Sequence, residues 1–195
     1  MSIRKNVLVA LISNGLPFLI TVAALPYTIK YWGLDVVGFL SLLMIIVGYA
    51  GVLDLGLSRS LTIITSKLLL DNDFQKINRI FWTTLFFSFI LSGLICLLIF
   101  CIYLIFPLSN NTEYDQIIRS NALYIILIIP FLIGSSLIIG VLMSYRNFDQ
   151  VNYVKASVNI FVILSPIIAY HLSLNISGVV RLIFLFRFIA FFIHL

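Results

Sequence analysis

Six apolar runs, each almost free of charge and close to the length a helix needs to cross a bilayer, fill most of this chain of 195 residues. They are Val7 to Leu25, Val36 to Leu53, Ile80 to Phe106, Ala122 to Met143, Ala156 to Leu174 and Gly178 to Leu195. A hydrocarbon core about 30 Å thick takes roughly 20 apolar residues of helix. Backbone polar groups inside it must be satisfied within the segment, which selects helices over single strands, and the alternating pattern of an outer-membrane barrel is missing. At 62% hydrophobic residues the chain carries more oil than a water-soluble core absorbs. The predicted fold is all-α: a polytopic membrane protein with six transmembrane helices, forming one transmembrane domain over residues 1–195.

Orientation follows from Lys and Arg, which concentrate in cytoplasmic loops. Arg4, Lys5, Arg59, Lys67, Lys76, Arg79, Arg146 and Lys155 fall on one side of this threading; only Lys30, Arg119 and Arg181 fall on the other. Eight against three predicts a cytoplasmic N-terminus in a cell inner (plasma) membrane, with Asp35, Glu113 and Asp115 on exterior segments. The net charge of +5 is then a consequence of topology, and no nucleic-acid partner is expected. The basic start and Val22-Ala23-Ala24 resemble a signal peptide, but Asn14, Gly15 and Pro17 interrupt the apolar core, so the first run is read as an uncleaved helix.

Polar residues inside the runs locate the candidate chemistry. Asn14, Pro17 and Thr21 share a face of the first helix; Asp54, Ser58, Thr62 and Thr65 share a face if helix continues past Asp54; Lys155 and Asn159 align on the fifth. Such stripes should face other helices or water, since lipid does not solvate them. Arg187 lies well inside the last run, whose apolar residues offset the insertion cost of a cation, and it marks either a pathway or a pair with a carboxylate or helix end. Arg181 is near enough to the exterior end to snorkel. Pro17, Pro130 and Pro166 each free a carbonyl that neighbouring protein or a wet cavity must satisfy. Ser136, Gly140 and Ser144, and likewise Ser88 and Ser92, are spaced for close helix packing. Cys96 and Cys101 are about 140° apart around one helix and are expected as buried thiols, neither disulfide nor metal ligands.

Enzymatic readings find little support. Asp71-Asn72-Asp73 spells a metal-binding DxD, but it lies in a short loop and Asp73 is placed to cap the following helix. His171 and His194 are isolated, and no metal site or cofactor is expected. Asn110-Asn111-Thr112 and Asn175-Ile176-Ser177 match the glycosylation sequon on exterior segments.

Pro26-Tyr27, Gly33-Leu34, Gly38-Phe39 and, after an apolar helix, Asp54-Leu55-Gly56-Leu57-Ser58 resemble the opening of the polysaccharide repeat-unit flippases. These are the Wzx-type O-antigen and capsule translocases of the multidrug and polysaccharide exporter superfamily. Gly140 followed by Tyr145-Arg146-Asn147-Phe148 and Asn152 is similar to the segment joining that family's fourth and fifth helices. The resemblance implies two six-helix lobes around a cavity open alternately to each side, of which this chain would be the N-terminal lobe, apparently truncated. It implies a lipid-linked oligosaccharide as cargo, moved on its polyprenyl diphosphate from the cytoplasmic to the exterior leaflet, with membrane lipid, a second six-helix lobe or other polysaccharide-assembly proteins as partners. On this reading Arg59 and Arg187 are candidates for the diphosphate, because Arg stays charged and grips phosphate in bidentate fashion. Asn14 is a candidate for sugar hydroxyls, and Asp54 for ion coupling or gating. The alternatives are a drug or metabolite antiporter of the same superfamily, and a membrane polymerase or assembly subunit.

Overall fold

The computed structural model describes residues 3–48, 54–105 and 113–195. Every regular element among them is helical: α1 (Ile3–Gly48), α2 (Leu57–Leu70), α3 (Phe74–Ile105), α4 (Glu113–Ser144), α5 (Phe148–His171) and α6 (Ile176–His194). Four stretches are long and apolar enough to cross a membrane singly: Phe74–Ile102, Ile118–Ser144, Phe148–His171 and Ile176–Ile193. A bent pair, Gly15–Leu34 and Val36–Ile45, meets the same test only when its two parts are taken together.

That bend corrects the expected first two spans. The helix does not stop at Leu25 but runs through Pro26, and it breaks at Gly33, whose φ of 83° is a conformation L side chains resist. The second arm leaves at 118° to the first. Val36 to Leu53 therefore begins as the short arm of a broken helix, and residues 49–53 of that run lie outside the described residues. Elsewhere the helices start before the apolar runs do, as in α3, α4 and α5, because backbone hydrogen bonding continues past the hydrocarbon into polar residues.

Three of the connections use one stopping device. Asn72, Arg146 and Ser173 each take a left-handed conformation, with φ of 55°, 56° and 54°. In each, the following N–H reaches back to a carbonyl five residues earlier: Asp73 to Leu68 at 3.2 Å, Asn147 to Leu142 at 3.1 Å and Leu174 to Ala169 at 2.9 Å. This pairs the orphan carbonyls of the helix end and reverses the chain within a few residues, so neighbouring helices run antiparallel. The helix that follows is then capped: Asp73 Oδ1 accepts from the Lys76 N–H at 3.1 Å to open α3, and Asn175 Oδ1 accepts from the Gly178 N–H at 3.0 Å to open α6.

Helix α4 is the hub, packing on α2, α3 and α6, while α1 packs on α5 and α5 on α6. One apolar cluster joins the second arm of α1 to α4, α5 and α6 through Phe39, Leu132, Val162 and Ile183; a second joins α2, α3, α4 and α6 through Leu61, Leu85, Leu137 and Phe191. Helix α3 faces outward, with only 17% of its most apolar stretch buried and Phe86, Phe87, Leu94 and Leu98 exposed. An exposed surface this apolar is one that lipid covers.

Candidate functional site

Two polar assemblies interrupt the apolar packing. The first lies at the start of α2. Asp54, 1% exposed, accepts hydrogen bonds at Oδ1 from the Gly56 N–H (2.9 Å) and at Oδ2 from the hydroxyls of Ser58 (2.6 Å) and, across on α4, Ser136 (2.9 Å). Its carboxylate also sits at the positive end of the α2 dipole. One turn beyond Ser58, the Thr62 hydroxyl lies 2.8 Å from the Ser58 carbonyl and 2.9 Å from the Gly140 carbonyl. The expected stripe Asp54, Ser58, Thr62, Thr65 is thus a single face turned onto α4, although the chain enters it through a turn with Leu55 and Gly56 at positive φ and not through continuous helix. Ser136 and Gly140, read as packing residues, are the other half of that seam.

The second assembly lies between α4, α5 and α6. Arg187 is 9% exposed, and its Nε–H has no acceptor. It lines a cavity of about 70 Å³ together with Ser135 from α4 and Lys155 and Asn159 from α5. Lys155 is seven residues from the start of α5 and Arg187 seven from the end of the antiparallel α6. Both cations therefore lie at one depth, about 10 Å in from the same end of the bundle at 1.5 Å per residue. The stripe on α5 and the cation in α6, separate features of the sequence, meet at one cavity. No carboxylate lines it among the described residues.

The remaining candidates are placed apart from this cavity. Arg59 is exposed on the first turn of α2 and is not among its lining residues. Asn14 belongs to α1, and its side chain lies outside the described residues. Thr21, on the same predicted face, borders a wider cleft of about 410 Å³ between the two arms of α1 and α5, with Thr28, Leu40, Ser41, Met44 and Pro166. The three hydroxyls there turn back to their own helix carbonyls, Thr21 to Pro17, Thr28 to Ala24 and Ser41 to Val37, so the wall presents mainly carbon.

Two of the helix prolines free carbonyls that find partners. Pro130 removes the N–H that would bond the Ile126 carbonyl, and Cys96 Sγ on α3 approaches that carbonyl at 3.4 Å. Pro166 frees the Val162 carbonyl, to which Ser165 donates at 2.7 Å. Cys96 is accordingly half-buried with a structural contact, whereas Cys101, expected to be buried, is exposed, because α3 turns that face outward. Both are free thiols. Asp73 is the helix cap the sequence suggested, paired with Lys76 Nζ at 2.6 Å. Those hydrogen bonds, side chain first and backbone second, hold its carboxyl below the usual range. Among the described residues no group of three His, Cys, Asp or Glu is placed to hold a metal ion.

Sequence reading missed Asn121, which is fully buried and whose Nδ2 donates to the Ser177 hydroxyl at 2.8 Å, tying α4 to the start of α6. It also missed an aromatic group at the α1–α5 contact. Tyr31 lies 4.5 Å from Tyr27 and 4.2 Å from Tyr170, ring to ring; the Tyr27 hydroxyl is 3.1 Å from His171 Nε2; and Trp32 Nε1 donates to the Pro166 carbonyl at 3.0 Å. Tyrosines spaced by four on one face were the available signal in α1. Arg181, expected to reach out of the membrane, lies over the Tyr124 ring, 5.5 Å from its centre.

No curated protein and no solved structure matches the chain. Residues 10–168 match the MatE family, more than three quarters of the sequence. An all-helical architecture with several membrane-length apolar helices agrees with that match, and members of this family are membrane transporters of the multidrug, oligosaccharidyl-lipid and polysaccharide exporter superfamily. The chain belongs to the MatE family.

Proposed function

We propose that this chain is part of an exporter for an anionic, lipid-linked cargo, a polyprenyl-diphosphate oligosaccharide carried from the cytoplasmic to the exterior leaflet for surface-polysaccharide synthesis. The observation that carries the reading is the sign of the buried charge. Buried Arg187 lines a cavity with no carboxylate among the described residues, the exposed Lys155 and Asn159 also lining it, while the most deeply buried carboxylate, Asp54, is already held by three hydrogen bonds. An antiporter for cationic drugs needs the opposite, a carboxylate open to the cargo. Helix α5 supports the same reading along its length. Its first half carries the cationic cavity and its second half the apolar cleft, the two solvents that a diphosphate joined to an isoprenoid tail requires.

In this reading Arg59, exposed at the mouth, meets the diphosphate first and Arg187 holds it deeper in. Asn14 hydrogen-bonds sugar hydroxyls, and Asp54 acts as a gate by fixing α2 on α4. The chain forms a six-helix lobe with its N-terminus in the cytoplasm, in the plasma membrane, and a second such lobe completes the cavity.

The test sets the two cargo classes against each other in cells carrying an intact exporter that contains this lobe. Arg187→Ala, with normal membrane insertion, should sharply reduce exterior polysaccharide and leave extrusion of a lipophilic cationic dye unaffected. Loss of dye extrusion with unchanged polysaccharide display would favour the antiporter instead.

A further inference from the structure

We infer that the isoprenoid tail of the cargo seats in the cleft between α5 and the two arms of α1 while its diphosphate meets Arg187, Lys155 and Asn159, so that the lipid loads sideways from the cytoplasmic leaflet without turning over. The inference rests on the cargo class proposed above and adds where the two ends of that cargo lie. Lys155, Asn159, Ile163 and Pro166 follow one another at intervals of four, four and three residues, which places them on one face of α5. The first two line the cationic cavity and the last two the apolar cleft, so both spaces border a single helix face. From Lys155 to Ile163 is about 12 Å at 1.5 Å per residue.

Each end of that face suits one end of the lipid. Arg187 is buried and its Nε–H lacks an acceptor, whereas Lys155 and Asn159 are exposed on the same cavity. A diphosphate entering from the exposed side brings one phosphoryl group to Arg187 and leaves the other against Lys155, with charge-assisted hydrogen bonds to both. The cleft, about 410 Å³, has its threonine and serine hydroxyls turned back to their own helices, and its wall of carbon suits hydrocarbon and not sugar. Depth then fixes the direction. Lys155 lies about 10 Å from the start of α5, and the stretch from Val162 to Pro166 about 21 to 27 Å. With the N-terminus in the cytoplasm, the head sits toward the cytoplasm and the tail points to the bilayer interior. A lipid of the cytoplasmic leaflet already has that orientation, so it enters by lateral diffusion and its sugars stay on the cytoplasmic side.

The test uses the full chain in phosphatidylcholine nanodiscs and a probe without sugar, farnesyl diphosphate carrying a photoreactive diazirine at the tail end. Irradiation and peptide mass spectrometry should place the label on the cleft, within residues 21–44 and 162–166. Geranylgeranyl diphosphate should compete for it far better than inorganic diphosphate. Ser41→Trp, an exposed position on the cleft wall, should fill the cleft and reduce labelling about tenfold. Lys155→Gln, on an exposed side chain, should reduce it about tenfold through the head, and Lys155→Arg should restore it. Label confined to the outward face of α3, equal competition by inorganic diphosphate, or labelling unchanged in Ser41→Trp would overturn the assignment. The cargo reading fails separately. An intact exporter that takes the probe in the cleft yet transfers no oligosaccharide refutes that reading and leaves the tail site standing, whereas transfer with the cleft unlabelled refutes the tail site alone.

Discussion

The Thr62 hydroxyl reaches the Gly140 carbonyl at 2.9 Å, at a point where a Cβ on Gly140 would stand 2.7 Å from the backbone oxygen of Ser58. The two helices approach through backbone, so neither can yield cheaply. Gly140→Ala should therefore separate α2 from α4 and lower stability by about 1 to 3 kcal/mol. The control is Gly134→Ala, where the new methyl would meet the ring edge of Phe191, a side chain and not backbone. Thermal unfolding in detergent should show the larger loss for Gly140→Ala; equal losses would mean the α2–α4 contact is looser than described.

Asp54→Ala removes the acceptor shared by the Gly56 N–H and the Ser58 and Ser136 hydroxyls. The Ser136 hydroxyl can turn to the Ile133 carbonyl, 2.7 Å away, but the Gly56 N–H and the Ser58 hydroxyl lose their acceptor in a largely buried place, at a cost of about 2 to 3 kcal/mol. Asp54→Asn keeps one oxygen acceptor and should cost less, because both serine hydroxyls can turn to accept from the new amide. Unfolding midpoints ordered wild type, Asn, Ala check this, and an alanine variant as stable as wild type would remove Asp54 from the structural seam.

The freed carbonyls at the proline kinks give an unequal pair. Ser165→Ala deprives the Val162 carbonyl of a fully buried hydroxyl donor and should cost about 1 kcal/mol or more, whereas Cys96→Ala removes only a weak thiol donor from Ile126 and should cost about half that. Stability measured side by side tests the ranking.

The cap at Asp73 is sensitive to acid. Its carboxyl is held below the ordinary aspartate value by hydrogen bonds from Lys76, so its contribution is present above that ordinary value and is lost as pH falls through the lowered folded one. The protection of the Lys76 amide against hydrogen exchange, taken relative to an unprotected amide at the same pH, should fall below about pH 4 in the wild-type chain, and in Asp73→Ala it should already be low and nearly flat across the same range.

Helix class, the polar stripe of α2 and the prolines inside helices were legible in the sequence because each rests on composition or on a period of 3.6. The break in α1 was not. Gly33 stood in the sequence as one of several glycines, and only its positive φ, set by how the two arms pack on α5, distinguishes it. Pro26 misled in the other direction, since a helix in apolar surroundings tolerates a proline that would end one in water. At the candidate site, Arg187 was recognisable as a cation inside an apolar run and Lys155 as one aligned with Asn159 at the start of another helix, but that they line one cavity depends on the antiparallel register of α5 and α6, which tight turns fix and composition does not. The burial of Asn121 and the exposure of Cys101 likewise depend on which way a helix is rotated, a property set by its neighbours.

The most direct measurement of the central claim is translocation itself. Vesicles reconstituted with an intact exporter containing this lobe would be loaded with a labelled polyprenyl-diphosphate oligosaccharide, and its appearance in the opposite leaflet followed with a membrane-impermeant sugar-cleaving enzyme. The account predicts transfer that depends on the protein and falls steeply in Arg187→Gln while the variant remains folded and inserted. Transfer at the same rate in the variant, or none above protein-free vesicles in the wild type, would contradict it.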